Sequence, residues 1–375
     1  MKKFILKFLL LVIPFFLLWG ILEYAGQKSG ELKTVNEIIE LQEQSEGELL
    51  IGMAYTGQQK FIDLYHVNTY KPECIALGTS RVMQFKGFCF QKGVSFYNTG
   101  GSVAENFDEY KNFLMNIDDD QLKMVILGLD SWIFNDEWNS TNCGDYSEYH
   151  ELVYQSDINR KNIYHGMISD YLQGKWTLGK LIRNKDNIGM SGKVRNSGFM
   201  KDGSYYYGAL YTHPETGDDY QFVDTFDRIE NAGGRFEYGS EIDAETLDKL
   251  DDLLQYCYER EIQVAAFIPP YAPTVYTRMQ ETGNYLYLSK IYDACVPLFE
   301  KYDYSVYDYQ DIQTHFTCSD AYFVDGFHGS EVLYAMMLAD MASVDEKLAE
   351  YVDLSKIEEL VVNKYSELVF EKPVQ

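Results

Sequence analysis

Short apolar runs of strand length alternate with amphipathic segments of helix length through most of this chain of 375 residues. The apolar runs occupy residues 73–77, 94–97, 124–127, 263–268 and 305–309, and residues 81–90 after the first run are predicted to form a helix. Parallel strands that are buried on both faces have such continuous apolar sequences, and helices connect them. The alternation therefore predicts an α/β fold of three layers, α/β/α, with helices on both faces of a parallel sheet. Ligands of such sheets bind beyond the carboxyl ends of the strands.

The N-terminus has the sequence of a membrane anchor. Lys2, Lys3 and Lys7 precede an uncharged apolar run, and residues 4–22 are about long enough to cross a hydrocarbon core of ~30 Å as a helix. The lysines are expected to stay on the cytoplasmic side. A cleaved signal peptide is the alternative, but residues 23–27 lack an A-x-A cleavage site. We therefore expect an uncleaved anchor over residues 1–26, a single pass through the cell membrane, and an extracytoplasmic remainder.

The remainder divides into a polar stretch and one large domain. Residues 27–71 are predicted to form a stalk and a lead-in helix, and residues 72–375 carry the α/β pattern. Residues 131–240 interrupt that pattern with a segment rich in Tyr, Asn, Asp and Gly. Because structureless loops of this length are uncommon in compact domains, we expect a long inserted cap over the carboxyl ends of the strands. A poorly ordered surface excursion is the alternative.

Composition excludes some classes of function. The net charge of −26 and the absence of a basic cluster argue against nucleic acid as a partner. Six scattered cysteines without a C-x-x-C pair do not require a disulfide framework, although one or two bridges would fit a domain of this size. The histidines lack zinc-site spacing. We expect no metal and no cofactor.

Three separated motifs fit one chemistry. Gly78-Thr79-Ser80 follows the first apolar run, Asn98-Thr99-Gly100 follows the second, and Asp325 precedes His328 by three residues. A serine just past a strand sits on an exposed turn whose backbone N–H groups can hold an oxyanion. Asp325 can hold one ring nitrogen of His328 while the other faces Ser80, which supplies a nucleophile, a base and an orienting group. Helix capping by Ser80 and by Asp325 is the structural alternative.

These residues resemble the blocks of the SGNH (GDSL-like) hydrolase superfamily. Gly78-Thr79-Ser80 resembles the first block, residues 98–102 the second, and Asp325-x-x-His328 the last, so the resemblance covers about residues 72–130 and 243–347. The anchor, the Gly-Thr-Ser-Arg form of the first block and the long insert are similar to a membrane-anchored branch. That branch includes the teichoic-acid D-alanyl transfer protein and the alginate O-acetylation proteins.

The resemblance implies roles for individual residues. Ser80 would be the nucleophile, His328 the base and Asp325 its orienting partner, and the N–H groups of Ser80 and Gly100 would hold the oxyanion. The third block is usually G-x-N-D, whose Asn donates to the oxyanion, but Asp130 stands at that position. An ionised Asp130 cannot donate, and the loss of one donor typically costs ~10²–10³ in rate.

Four further residues near these motifs are candidates for substrate contact. A hydroxyl group close to the third block offers a replacement donor, and an arginine next to Ser80 offers a cation for a carboxylate or phosphate. A structural salt bridge is the alternative for that arginine. The candidates are Arg81, Asp130, Ser131 and Tyr271.

The resemblance implies a membrane-anchored serine acyltransferase that acts on hydroxyl groups of a cell-envelope polymer. An acyl donor and a membrane-bound O-acyltransferase would be its partners. A glycan or small-ester esterase with the same triad is one alternative. A non-catalytic binding or assembly protein that keeps the SGNH fold is the other, and the missing Asn of the third block is its best support.

Overall fold

The computed structural model describes residues 2–56, 59–118, 121–138, 140, 144–154, 160–183 and 186–373. Contacts between backbone positions divide it into two compact units. The first comprises Met1–Gln58 and Ser147–Lys201, and the second comprises Gln59–Tyr146 and Asp202–Gln375. The predicted insert is therefore divided between the two units.

The α-helices of the described residues lie in both units. In chain order they are α1 (Lys2–Ser29), α2 (Val35–Gln44), α3 (Gln59–Tyr70), α4 (Phe107–Met115), α5 (Tyr149–Tyr154), α6 (Arg160–Leu172), α7 (Leu178–Arg183), α8 (Met190–Arg195), α9 (Val223–Asn231), α10 (Ala244–Glu259), α11 (Pro273–Thr282), α12 (Leu288–Glu300), α13 (Glu331–Val344), α14 (Glu346–Ala349) and α15 (Leu354–Val362).

The second unit is built on a five-stranded parallel sheet, so the predicted α/β class with a central parallel sheet is confirmed. Its strands are β1 (Cys74–Leu77), β2 (Phe96–Asn98), β3 (Met124–Gly128), β4 (Gln263–Ile268) and β5 (Ser305–Asp308), and their spatial order is β2-β1-β3-β4-β5. Every residue of β1 and β3 is buried, so both faces are covered at the centre of the sheet.

Buried side chains and capped N-termini hold α4 and α10 in the second unit. On α4, Tyr110, Phe113 and Leu114 are buried, and the side chain of Asn106 caps the helix by accepting from two backbone N–H groups. On α10, Asp243 does the same while the leucines point inward. Capping by Asn or Asp satisfies N–H groups that have no partner in the first turn.

The first unit has its own apolar core. Leu22 and Ala25 of α1 are buried in a cluster with residues of α6, α7 and α8. Val35, Ile38 and Ile39 of α2 are almost completely buried, so the segment predicted as a stalk belongs to a packed unit. The sequence suggested a stalk because the other face of α2 is polar, and that face is exposed.

The N-terminal helix has the length and composition of a membrane span. The most apolar window within Lys7–Ser29 has a mean hydropathy of 2.1, and 11% of that window is buried. Large apolar side chains between Phe8 and Trp19 are exposed, whereas Leu22 and Ala25 are buried. The exposed part of α1 precedes the part that packs into the first unit.

The segment after β1 differs from its prediction. A helix was expected over residues 81–90, but the structure has two short 3₁₀ turns, Ser80–Val82 and Gly87–Cys89. The carbonyl oxygens of Val82 and Phe85 accept from Nδ2 of Asn98, at 2.8 and 3.0 Å. The backbone bonds of the segment are of the 3₁₀ type, from the N–H of Phe85 to the carbonyl of Val82 and from the N–H of Phe90 to that of Gly87, so a regular α-helix is not formed.

Candidate active site

Ser80 lies at the point of the sheet where ligand sites are usual. It follows β1, and β1 lies between β2 and β3 in the sheet. In a doubly wound sheet of this order, the crevice beyond the carboxyl ends at the point of reversal is the preferred place for a ligand. Ser80 opens a 3₁₀ turn, and the N-cap is Thr79, whose side chain accepts from the N–H of Arg81 at 3.2 Å. The hydroxyl of Ser80 is therefore not used for capping.

Ser80, His328 and Asp325 form one chain of hydrogen bonds. Oγ of Ser80 lies 2.8 Å from Nε2 of His328. Nδ1 of His328 lies 2.7 Å from Oδ2 of Asp325. The side chains of His328 and Asp325 remain 14% and 23% exposed, so the group is sheltered but reachable. The three residues that the sequence predicted as a triad are thus brought together from positions 248 residues apart in the chain.

Asp325 is held in place by its own turn. Its Oδ1 accepts from the N–H groups of Phe327 and His328, at 3.0 and 2.8 Å. Burial opposes ionisation of Asp325, but the charge and hydrogen bonds of His328 and the N–H of Phe327 outweigh it and lower its pKa. An ionised Asp325 keeps the proton of the imidazole on Nδ1, which leaves Nε2 free to accept a proton from Ser80.

The surrounding turn explains why Asp325 does not cap a helix. Phe323 and Gly329 form an antiparallel bridge, and the N–H of Val324 donates to the carbonyl of His328 at 2.8 Å. The N-cap of α13 is Ser330, whose hydroxyl accepts from the N–H of Leu333. Asp325 therefore lies within a closed turn and is directed at the imidazole.

Residues of the insert support this turn from outside. Oδ2 of Asp219 accepts from the N–H of Gly326 at 2.9 Å and also from the hydroxyl of Thr225. A Cβ at position 326 would lie 2.5 Å from Oγ1 of Thr225, so only glycine fits there. The part of the insert that belongs to the second unit is thus packed against the loop of the triad.

The two predicted oxyanion donors differ in their environment. The N–H of Ser80 has no acceptor within the part of the chain that the structure describes. The N–H of Gly100 donates to Oδ1 of Asn98 at 2.8 Å. Asn98 is completely buried and also holds the segment after β1 through Nδ2. The structure therefore leaves one of the two N–H groups free and engages the other.

The four residues predicted to contact substrate are brought together beneath the surface. Nη1 of Arg81 lies 3.4 Å from Oδ1 of Asp130, and neither side chain is exposed. The guanidinium of Arg81 also lies over the ring of Tyr271, at 4.4 Å, and donates to the carbonyl of Pro270. Ser131 is buried as well, and its hydroxyl donates to Gln310 at 3.3 Å. Arg81 therefore forms a structural salt bridge, which was the alternative to a role in substrate binding.

Two opposing effects act on the pKa of Asp130 in this buried group. Complete burial raises its pKa, and the guanidinium of Arg81 works against that shift. Within the described residues, no hydrogen bond of good geometry reaches the side-chain oxygens of Asp130 or Nε and Nη1 of Arg81. The contact of 3.4 Å is thus an ion pair without hydrogen-bond geometry.

Sequence reasoning missed residues of the insert that lie around the triad. The ring of Tyr207 is 6.3 Å from the imidazole of His328. The ring of Phe236 is 5.7 Å from that of Phe327, which is 4.4 Å from the imidazole. Arg235 lies over Trp132, 5.0 Å from its ring centroid. The run of three tyrosines at residues 205–207 was the available signal.

Within the described ranges, no group of three or more His, Cys, Asp or Glu side chains could hold a metal ion. The described cysteines are free and buried; they are Cys74, Cys89, Cys257, Cys295 and Cys318. Cys143 lies outside the described residues, so the expectation about disulfides is untested there.

No protein-family model and no curated protein matches this chain, and the resemblance to SGNH hydrolases therefore depends on the motifs and geometry described above.

Proposed function

We propose that the protein is a membrane-anchored serine acyltransferase of SGNH type that acts on hydroxyl groups of a cell-envelope polymer. The observation that supports it is the hydrogen-bonded chain from Ser80 through His328 to Asp325. Such a chain joins a nucleophile to a base whose tautomer is fixed by a carboxylate.

Each residue has a defined task in the proposed reaction. Oγ of Ser80 attacks the carbonyl carbon of an ester or thioester donor while Nε2 of His328 takes the proton of the hydroxyl. The protonated imidazole, stabilised by Asp325, returns that proton to the leaving group. The acyl group then remains on Ser80. In the second half, His328 deprotonates the hydroxyl of the acceptor, which attacks the acyl-serine. The bond from the acyl carbon to Oγ of Ser80 then breaks, and the imidazolium returns its proton to Oγ, which regenerates the enzyme.

The developing oxyanion needs donors at the same edge of the sheet. The N–H of Ser80 is available for this role. In the proposal the N–H of Gly100 joins it when the amide of Asn98 turns away from its 2.8 Å contact. Donors that are fixed before the reaction cost less reorganisation. Because the N–H of Gly100 must first leave Asn98, its contribution would require a substrate whose binding favours that change.

The course of α1 supports an anchor that stays attached. Ala25 and Ser29 are completely buried although they belong to the same helix as the exposed apolar residues. Cleavage after residue 25 would cut a helix inside a packed core. An uncleaved anchor keeps the enzyme at the membrane, where a membrane-bound O-acyltransferase would be its partner and supply acyl groups.

The surroundings of the triad favour transfer over hydrolysis. Tyr207 and Phe236, both from the insert, lie beside the loop that carries His328. Aromatic side chains at this position restrict the access of water, and exclusion of water protects an acyl-enzyme from hydrolysis. An esterase would use the same triad with water as the acceptor.

The experiment follows the fate of the acyl group. Full-length protein in detergent is given 4-nitrophenyl acetate, with and without a sugar oligomer as acceptor, and both free acetate and acetylated sugar are measured. We expect acetylated sugar, with neither product formed by Ser80→Ala and both formed by the exposed-serine control Ser289→Ala. Release of acetate alone would favour the esterase. No turnover by the wild type would favour the binding protein.

A further inference from the structure

Arg235 places a second cation beside a buried carboxyl group, that of Asp130, which Arg81 already contacts. Its side chain is half-buried, and its guanidinium lies over Trp132 at 5.0 Å from the ring centroid. Within the described residues it forms no ion pair. Asp130 already contacts Arg81 at 3.4 Å, so the two arginines share one carboxyl group and one positive charge is left over.

The contacts of Arg235 and its neighbour direct it toward the catalytic end of the sheet. Phe236 packs against Phe327, which adjoins His328. Burial raises the pKa of Asp130, and the charges of Arg235 and His328 act against that shift. Asp130 follows β3, the strand next to the one that carries Ser80. Arg235 therefore belongs to the surroundings of the triad.

The backbone holds Arg235 in an unfavourable conformation. Its φ of 77° lies in the left-handed region, which side chains other than glycine rarely adopt. The N–H of Arg235 donates to Oε1 of Glu237 at 3.3 Å, and the N–H of Phe236 donates to the carbonyl of Gly233 at 3.2 Å. These bonds fix the turn, so the guanidinium is presented over Trp132 by a preformed structure.

A second arginine of the same region provides a contrast. Arg228 also lies near the triad, over the ring of Phe327 at 5.9 Å, but it forms an ion pair with Asp224 at 2.5 Å. Its charge is compensated within α9. Arg235 has the same side chain in similar surroundings without that compensation, which makes Arg228 the matched control.

We propose that Arg235 binds an anionic group, a carboxylate or a phosphate, of the molecule whose acyl group passes through Ser80. The proposal rests on the proposed function for the nature of that molecule. A guanidinium offers a planar pair of donors that matches both anions. In a chain of net charge −26, a local cation is needed to hold an anionic substrate against the overall repulsion.

The test measures equilibrium binding of phenyl phosphate, benzoate and neutral benzyl alcohol to the full-length chain in detergent. We expect at least one of the anions to bind tenfold more weakly to Arg235→Gln, with no such change for Arg228→Gln or for benzyl alcohol. The anion that loses more affinity identifies the phosphate or the carboxylate. Equal anion binding by Arg235→Gln and wild type, or no anion binding by the wild type, would overturn the proposal.

A second readout on the same samples separates this proposal from the serine chemistry. A fluorophosphonate reports on Ser80 whether or not an anion is held. Labelled Ser80 with anion binding independent of Arg235 would overturn the anion site alone. Unlabelled Ser80 with anion binding that depends on Arg235 would overturn the acyltransferase and leave the anion site standing.

Discussion

At the scale of single residues, Asp325 shows how one turn prepares a histidine for proton transfer. One of its oxygens accepts from two backbone N–H groups of its own turn, and the other contacts Nδ1 of His328. The carboxylate thus has a fixed orientation before any substrate binds. Its lowered pKa means that this arrangement persists at neutral pH and is lost only as the pH falls through the folded-state pKa.

Asp325→Asn tests the role of that charge. We expect ester turnover to fall by a factor on the order of 10³–10⁴, because an amide allows the wrong tautomer of His328 while the geometry is kept. Steady-state kinetics give the rate, and a thermal melt checks the fold. Asp320→Asn, in the preceding 3₁₀ turn, is the control. Near-normal turnover by Asp325→Asn would remove Asp325 from the triad.

Asn98 is the residue on which the loops around Ser80 depend. It is completely buried and forms hydrogen bonds to Val82, Phe85 and Gly100. Asn98→Ala leaves the N–H of Gly100 and the carbonyl of Phe85 without this partner and removes one of two donors to the carbonyl of Val82, so we expect a loss of about 2–4 kcal/mol in the free energy of unfolding. Urea denaturation measures it. The exposed control Asn284→Ala should change stability by less than about 0.5 kcal/mol, and equal effects of the two variants would contradict this account.

At the scale of elements, the strands could be predicted from the sequence and the segment after β1 could not. The strand Gln263–Ile268 was predicted with its observed bounds, because five of its six residues are buried and apolarity alone marks such a strand. The expected helix over residues 81–90 is wrong: the segment forms 3₁₀ turns, and Nδ2 of the distant Asn98 donates to the carbonyls of Val82 and Phe85. Local sequence cannot indicate an acceptor that is taken by a distant side chain.

In the candidate site, likewise, some contacts could be predicted from the sequence and others could not. The spacing of Asp325 and His328 predicted their contact, because three residues on one turn suffice to bring the side chains together. The burial of Arg81 against Asp130 depends on β1 and β3 being neighbours, and the position of Arg235 depends on the packing of the insert. These contacts come from tertiary structure, which a single sequence read locally does not contain.

A buried carboxyl group joins α3 to β2 and to the loop that contains Gly100. Asp63 is completely buried and accepts from Ser102 Oγ at 2.5 Å, from the hydroxyl of Tyr97 at 3.1 Å and from Gln59 Nε2 at 2.8 Å. Burial raises its pKa to about 8, against the opposing effect of these hydrogen bonds. Asp63 is therefore protonated in the folded chain at pH values where the unfolded chain has lost that proton.

This linkage gives a prediction for stability against pH. A raised folded-state pKa contributes stability that is complete below the unfolded pKa, about 4, and is lost as the pH rises toward 8. We expect Asp63→Asn, which stays neutral, to lose about 1 kcal/mol less per pH unit than wild type between pH 5 and 8. Urea denaturation at several pH values measures this. The exposed control Asp248→Asn should follow the wild type, and parallel curves for Asp63→Asn and wild type would contradict the linkage.

At the scale of the whole molecule, α1 serves two environments. Its first part is exposed and apolar, and its last turns contribute Leu22 and Ala25 to the core of the first unit. Deletion of residues 2–20 should therefore leave that core intact. Deletion of residues 2–29 removes a buried leucine worth about 1.5–3 kcal/mol and should lower the melting temperature by several degrees relative to the shorter deletion. Equal melting temperatures would show that α1 is not part of the packed unit.

The most direct test of the central claim is the labelling of the full-length chain with a fluorophosphonate, followed by mass spectrometry of its peptides. The account predicts one adduct, on Ser80, that is absent in Ser80→Ala, retained in Ser289→Ala and formed at least 100-fold more slowly in His328→Gln. No adduct on Ser80, or an adduct that forms at the wild-type rate in His328→Gln, would contradict a nucleophile activated by His328 and Asp325.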